Sequence, residues 1–258
     1  MYRKTIDFSK YSSIKVGQEV EVLMIEKGDI LPNDRYIIGG ANNLLISSNP
    51  VKLMMLSKDF AYIKECDNLL EIGASMPSGR VVSFAKKNNL SNFEFMAKLP
   101  GQLGGLIAMN AGVKEYEIFK ILHSIKIDNE WVDVSDIDYG YRYARLDGVV
   151  TAGRFHINSG YNYSLEESLN ALRANQPSTP SAGSAFKNPP NDSAGRLIDS
   201  VGLKGYKKGS MAWSEVHANF LVNLGGGKFE DALYLLNLAK KRVFEEFGIK
   251  LQEEIKIL

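Results

Sequence analysis

Apolar residues recur along this chain with two distinct periods, and the stretches where neither holds are short and rich in glycine. Residues 19–25, Glu-Val-Glu-Val-Leu-Met-Ile, alternate at first and then become wholly apolar, which predicts a half-buried strand. Short apolar runs at 36–38 and 44–46 predict two further strands, with Gly39-Gly40-Ala41-Asn42-Asn43 between them. Residues 69–74 and 149–157 read as strands, and 121–134 as a hairpin that turns at Asp128-Asn129. A helical period takes over at 78–89, with Ser78 as the expected cap and Val81, Val82 and Ala85 on one face. Further helices are expected at 165–175, at 194–201 between Ser193 and Gly202, and at 229–247 before Gly248. In the last of these Phe229, Leu233, Leu236, Val243 and Phe247 form the expected core stripe. Residues 218–224 and 251–258 close the chain as strands, and in the latter Glu253 and Glu254 point to opposite faces.

Composition narrows the picture by exclusion. With 258 residues, 45% of them hydrophobic and 24% charged, the chain has the make-up of a globular protein with a sizeable core. Lys+Arg 31 against Asp+Glu 30 leaves a net charge of +1, which argues against a nucleic-acid partner. Lys204, Lys207 and Lys208 lie close together but read as a solvated turn. The single cysteine, Cys66, excludes an internal disulfide and a Cys-x-x-Cys metal site. His123, His156 and His217 have no metal-ligand spacing, so no metal site is expected. No window approaches the ~20 apolar residues of a membrane span, and the first residues carry no apolar leader. A cytoplasmic location is the expectation.

Four stretches carry candidate chemistry. Gly39 to Asn43 follows a strand and is followed by another, so it is no dinucleotide fingerprint of the Gly-x-Gly-x-x-Gly kind, which opens a helix. It can be a cradle of backbone N–H groups or a plain hairpin turn. Leu99-Pro100-Gly101-Gln102-Leu103-Gly104-Gly105, running on to Asn110-Ala111-Gly112, allows close backbone approach to a ligand or a tight turn into a core helix. Two Gly/Asn loops in one chain favour a flat, phosphate-bearing ligand more than either does singly. Arg142 stands between Tyr141 and Tyr143, as an anion clamp or as a surface arginine stacked on tyrosine. Residues 181–190, Ser-Ala-Gly-Ser-Ala-Phe-Lys-Asn-Pro-Pro, are kept out of helix by prolines on both sides. They read as a constrained loop that holds Ser184 beside Lys187 and Asn188, functional or structural.

Taken in order and nearly end to end, these motifs resemble the UDP-N-acetylenolpyruvoylglucosamine reductases, the MurB flavoenzymes. The resemblance is carried by Gly39-Gly40-Ala41-Asn42-Asn43-Leu44-Leu45, Leu99 to Gly112, Tyr141-Arg142 and Ala182 to Pro189. Gly202-Leu203-Lys204-Gly205, His217 to Asn223 and Leu251-x-x-Glu254-Ile255 support it. The short distance from Arg142 to Gln176 is similar to the shorter class that lacks a tyrosine-bearing lid loop. Ala41 and Asn42 stand where a Gly-Ser pair is usual, and Ala144 and Lys256 replace a serine and an arginine.

The resemblance implies an α+β fold. A two-part FAD-binding region of the vanillyl-alcohol-oxidase type would comprise residues 1–58 and 59–172. A substrate-binding α/β domain would follow at 173–250, with 251–258 returning to the first part. It implies NADPH-dependent, FAD-mediated reduction of the enolpyruvyl ether of a UDP-N-acetylglucosamine derivative in peptidoglycan precursor synthesis, by a monomer. Catalysis would rest on Arg142, Ser184 and Glu254, with substrate contacts at Tyr141, Lys187 and Asn188. FAD contacts would fall on Gly39, Gly40, Ala41, Asn42, Asn43 and Leu44 and on Pro100, Gly101, Gly104, Gly105, Asn110, Ala111 and Gly112. A flavin oxidase of the same fold, acting on a sugar or alcohol, is the alternative within enzymes. A flavin-free nucleotide-sugar-binding protein is the alternative outside them.

Overall fold

Leu53–Leu56 is the run Leu-Met-Met-Leu, and all four residues are buried. Such a run suits the centre of a parallel sheet, where both faces are covered. It pairs in parallel with the Val22–Ile25 part of the strand Glu19–Ile25 and with Tyr36–Ile37. A wholly antiparallel sheet follows, in the order Glu130–Asp133, Leu122–Ile127, Val150–His156, Leu69–Gly73, Ile63–Cys66. Leu70 and Ile72 turn one face inward against Val81, Val82 and Ala85 of the helix Ser78–Lys87 and Leu103 and Ile107 of the helix Leu103–Ala108. Glu71, between them, takes the other face, where Arg154 and Lys64 each approach its carboxylate to 3.1 Å.

The computed structural model describes Met1–Leu258 and divides into two compact units. One comprises Met1–Lys4, Val22–Gly40 and Lys52–Ala174, and the other Thr5–Glu21, Ala41–Val51 and Asn175–Leu258. The second unit contains an antiparallel sheet in the order Ser181–Ser184, Phe220–Asn223, Met211–Trp213, Lys207–Lys208. Its core joins Phe186 and Trp213 to Leu197 and Ile198 of the helix Ala194–Ser200 and to the inner face of the helix Phe229–Phe247. Each large side chain buried there contributes roughly 1.5–3 kcal/mol. Lys256–Ile257 pairs in parallel with Leu44–Leu45 in the same unit. The architecture is α+β.

Several local expectations are corrected. Ser78 is the first helical residue and not the cap: the N-cap is Pro77, and the Ser78 hydroxyl donates to the Leu99 carbonyl. The buried stripe of the last helix is Ala232, Leu235, Leu236, Ala239 and Val243, turned from the one anticipated. Phe247 stays partly exposed and carries the Arg196 guanidinium 5.5 Å above its ring. The helix expected at 165–175 runs Tyr163–Ala171, because Asn162 caps it by accepting from the Leu165 N–H. Residues 181–184 form a strand with a register slip, not a loop. Of 251–258 only Lys256–Ile257 is regular strand. No helix is long and apolar enough to cross a membrane.

Candidate functional site

In the first unit the two glycine loops line one cleft of about 250 Å³. Gly39, Ala74, Ser75, Gln102, Gly104 and Gly105 form much of its wall, with Ile37 and Val150, and no ionisable side chain but Tyr36 lines it. Side chains are missing where the wall must be thin. A Cβ on Gly105 would meet nothing within 4 Å and would project into open space. One on Gly104 would come to 3.0 Å of the Ala74 Cβ, and one on Gly39 to 3.3 Å of the Gln102 Oε1. The Ser75 hydroxyl is committed to the Leu56 carbonyl, and the Gln102 carboxamide and Tyr36 hydroxyl on an otherwise apolar wall fit a flat, uncharged heterocycle. The volume, below the ~300–1,000 Å³ of typical ligand pockets, suits one part of a dinucleotide. A smaller cavity of about 80 Å³ is lined by Lys27, Asp29, Lys126 and Asp128 and lacks this character. No group of three or more His, Cys, Asp or Glu side chains is arranged to hold a metal.

The rest of the glycine motifs supports neighbouring structure. Gly101 adopts φ 120 in a turn whose carbonyl accepts from the Ser78 N–H, and Pro100 is exposed beside it. Ala41 adopts φ 49, a left-handed conformation that costs a residue with a Cβ about 1 kcal/mol. Its carbonyl and that of Asn42 accept from the N–H and hydroxyl of Ser13. Leu44 is buried in its strand. Asn43 donates through Nδ2 to the Glu254 carbonyl at 2.9 Å and accepts from the Lys256 N–H at 2.9 Å.

Asn110 is fully buried, and its side chain is committed within the protein. Its Nδ2 donates to the Gly140 carbonyl (3.0 Å) and to the Glu117 Oε2 (3.2 Å), and its Oδ1 accepts from the Phe119 N–H. Ala111 is buried beside it. At Gly112 a Cβ would lie 2.2 Å from the Tyr116 carbonyl oxygen, so only glycine fits. These three residues underlie the hairpin of Tyr139–Gly140 and Tyr143–Ala144, whose two-residue turn is Tyr141-Arg142. Arg142 adopts φ 59 and donates to the carbonyls of Gly112 (2.8 Å) and Asn110 (3.3 Å). Its guanidinium lies 5.1 Å from the centroid of the exposed Tyr141 ring.

In the second unit Ser184 ends a strand whose register against Phe220–Asn223 slips between Ser181 and Ser184. Just beyond it the backbone is gripped from two sides. The Ala185 carbonyl accepts from the Glu254 N–H (2.9 Å) and the Ile255 N–H (3.3 Å), and the Lys187 N–H donates to the Gln252 carbonyl (2.9 Å). On the other side the Ala185 N–H donates to the Asn219 carbonyl, and the Asn219 side chain exchanges two bonds with Phe186. Ser184 and Glu254, 70 positions apart in the chain, are thus tied through one carbonyl. Lys187 is half-buried next to them, whereas the Asn188 Oδ1 accepts from the Ala194 N–H at the start of a helix. Glu253 pairs with Lys240 at 2.6 Å.

Comparison with known proteins places these features in a family. A family model described as the UDP-N-acetylenolpyruvoylglucosamine reductase C-terminal domain matches residues 175–258. The Helicobacter hepaticus UDP-N-acetylenolpyruvoylglucosamine reductase is 50% identical over 262 aligned residues, covering 100% of both chains. The chain belongs to the UDP-N-acetylenolpyruvoylglucosamine reductase family. The family's Helicobacter pylori member (strain 26695) is 44% identical, again over 100% of both chains. A Campylobacter jejuni member is 45% identical over 98% of this chain and 99% of its own. Among solved structures, the reductase of this family from Thermus caldophilus aligns with a TM-score of 0.84 and 29% identity, covering 100% of this chain and 99% of that one.

Sequence reasoning missed Asn219, Ser75 and Gln102. Ser75 and Gln102 sit between more conspicuous glycine and apolar positions. Asn219 had a readable signal: a carboxamide inside the apolar run 218–222 must find partners when buried.

Proposed function

We propose that this chain reduces the enolpyruvyl ether of UDP-N-acetylglucosamine-enolpyruvate, giving UDP-N-acetylmuramate, with FAD bound and NADPH as reductant. What carries this reading is the end-to-end match to the Helicobacter hepaticus reductase, 50% identical over both full lengths. The backbone tie between Ala185, next to Ser184, and Glu254 accords with it, because a proton donor has to be held in place. The cleft walled by Gly39, Gln102, Gly104 and Gly105 takes part of the FAD. When bound, the flavin supplies hydride to the β-carbon of the enolpyruvyl group, and NADPH replenishes it.

The protein residues then have separable tasks. Charge grows on the substrate as an enolate beside an existing carboxylate, so a fixed guanidinium at Arg142 lowers the barrier electrostatically. Ser184 delivers a proton to the carbon next to the one that receives hydride. A serine hydroxyl is a weak acid, and its neighbour Lys187 helps by favouring the alkoxide left behind. Glu254 orients the reacting group, and Tyr141 and Asn188 border the substrate. Asn110 and Gly112 serve through Arg142, which they support. The enzyme acts as a cytoplasmic monomer on a soluble nucleotide sugar.

The test is anaerobic and stepwise. NADPH bleaches the flavin of the purified protein, and the enolpyruvyl nucleotide sugar then restores its colour. Steady oxygen consumption with a sugar or alcohol, without need of NADPH, would replace this reading with an oxidase. A colourless protein that takes up no FAD would leave only nucleotide-sugar binding.

A further inference from the structure

Asn219 is 3% exposed, and every bond its amide makes is to one residue, two positions beyond Ser184. The Phe186 N–H donates to Oδ1 at 3.0 Å, and Nδ2 donates to the Phe186 carbonyl at 2.8 Å. With the Ala185 N–H on the Asn219 carbonyl at 2.8 Å, three bonds join this residue to the pair that follows Ser184. A side-chain amide here takes the part of a strand residue. It does so just beyond Ser184, where the regular ladder, whose register slips between Ser181 and Ser184, has ended. Its grip leaves the Ala185 carbonyl turned the other way, toward the N–H groups of Glu254 and Ile255.

Asn219 is itself held. Its own N–H donates to the Nδ1 of His217 at 3.2 Å. That ring is half-buried, packed edge-on to Phe220 with centroids 5.0 Å apart, and seated over Gly195, where a Cβ would come to 3.1 Å of its Cε1. An imidazole that accepts at Nδ1 is neutral and carries its proton on Nε2. We infer that Asn219 is the positioning residue that aims the Ser184 hydroxyl and registers it with Glu254, and that the His217 Nδ1 holds Asn219 to this task. The inference rests on the reading of Ser184 as proton donor.

Burial of an amide forming complementary bonds gives it a specific energetic handle. Replacing it by leucine keeps the branched skeleton and strands the Phe186 N–H and carbonyl without partners. The strand beyond Ser184 then relaxes, and a displacement near 1 Å at a reacting group costs ~100-fold in rate. Flavin reduction by NADPH does not involve the hydroxyl, so only the substrate half-reaction should respond.

The experiment compares both half-reactions of the flavin-loaded enzyme by anaerobic rapid mixing, in wild type, Ser184→Ala, Asn219→Leu, His217→Phe and His217→Asn. Asparagine at 217 can offer Oδ1 to the N–H two residues on, as an Asx turn does, and phenylalanine cannot. Expected are a ~100-fold slower substrate half-reaction in Asn219→Leu, a loss of about tenfold in His217→Phe, and recovery to within about twofold of wild type in His217→Asn. Flavin reduction should be unchanged throughout. In the substrate-free protein the Ala185 and Phe186 amides should exchange faster in Asn219→Leu. If that variant yields no folded flavoprotein, the His217 pair decides, and equal rates for phenylalanine and asparagine overturn the inference. It is overturned equally if Asn219→Leu matches wild type while Ser184→Ala is slow, or if both half-reactions fall together. A Ser184→Ala enzyme as fast as wild type would instead remove the underlying reading.

Discussion

Arg142 in the first unit and Ser184 in the second are fixed in opposite ways. Arg142 occupies the tip of a two-residue turn, at a positive φ, and is anchored by its own guanidinium on the carbonyls of Asn110 and Gly112. Ser184 lies on a strand whose backbone is gripped through Ala185, Phe186 and Lys187 by two other segments. The first arrangement commits the guanidinium itself to structure, so in the proposed reaction it must share or exchange acceptors when an anion arrives. The second spends only neighbours, whose backbone groups fix the strand that carries the hydroxyl. Charge stabilisation tolerates some adjustment; proton delivery to one face of a carbon does not.

Breaking the first arrangement at the fork should have the largest effect. Arg142→Lys keeps the charge but loses bidentate donation to the two carbonyls, and the substrate half-reaction should slow by ~100-fold. A rate within about twofold of wild type would mean that the charge alone matters. Next comes the platform. Gly112→Ala forces a Cβ against the Tyr116 carbonyl, and urea unfolding should register a loss of about 3 kcal/mol together with weakened turnover. Ala41→Gly tests how much strain the chain tolerates away from these residues. Relief of the φ 49 conformation should stabilise the protein by about 1 kcal/mol, read as a raised urea midpoint.

The smallest effect concerns the grip on Ser184 and its pH dependence. Burial holds the His217 imidazole below its ordinary value, with the Lys204 charge adding to the shift. The unfolded chain therefore takes up this proton first as pH falls below ~6.5, so the contribution to stability is complete above that value and declines beneath it. Urea midpoints at about pH 7.5 and about pH 5.5 should differ more in wild type than in His217→Asn. An unchanged difference would detach His217 from the fold's pH response.

How much of this could be read in the sequence follows from the range of the forces involved. The long helix ending at Gly248, the hairpin at Asp128-Asn129 and the Ser193 cap depend on local period and turn chemistry, and each was legible. The inner face of the long helix was not, because Phe247 finds a better use beneath Arg196 than in the core. Glu254 and Ser184 were singled out one by one through the family resemblance, but the backbone connection between their segments was not legible. It depends on the Ala185 carbonyl, on Asn219 and on Asn43, whose side chain reaches the Glu254 carbonyl across 211 positions. A tie made by backbone groups leaves no trace in residue type. The asparagines that complete it do, and their burial among apolar neighbours is the mark to look for.

The central claim is that a hydroxyl held by its neighbours' backbone supplies one proton to the substrate. Rapid anaerobic mixing of flavin-loaded Ser184→Ala tests it most directly. Flavin should be bleached by NADPH at the wild-type rate, and recovery of colour with the enolpyruvyl nucleotide sugar should be slowed by ~100-fold or more. Recovery at the wild-type rate would contradict it.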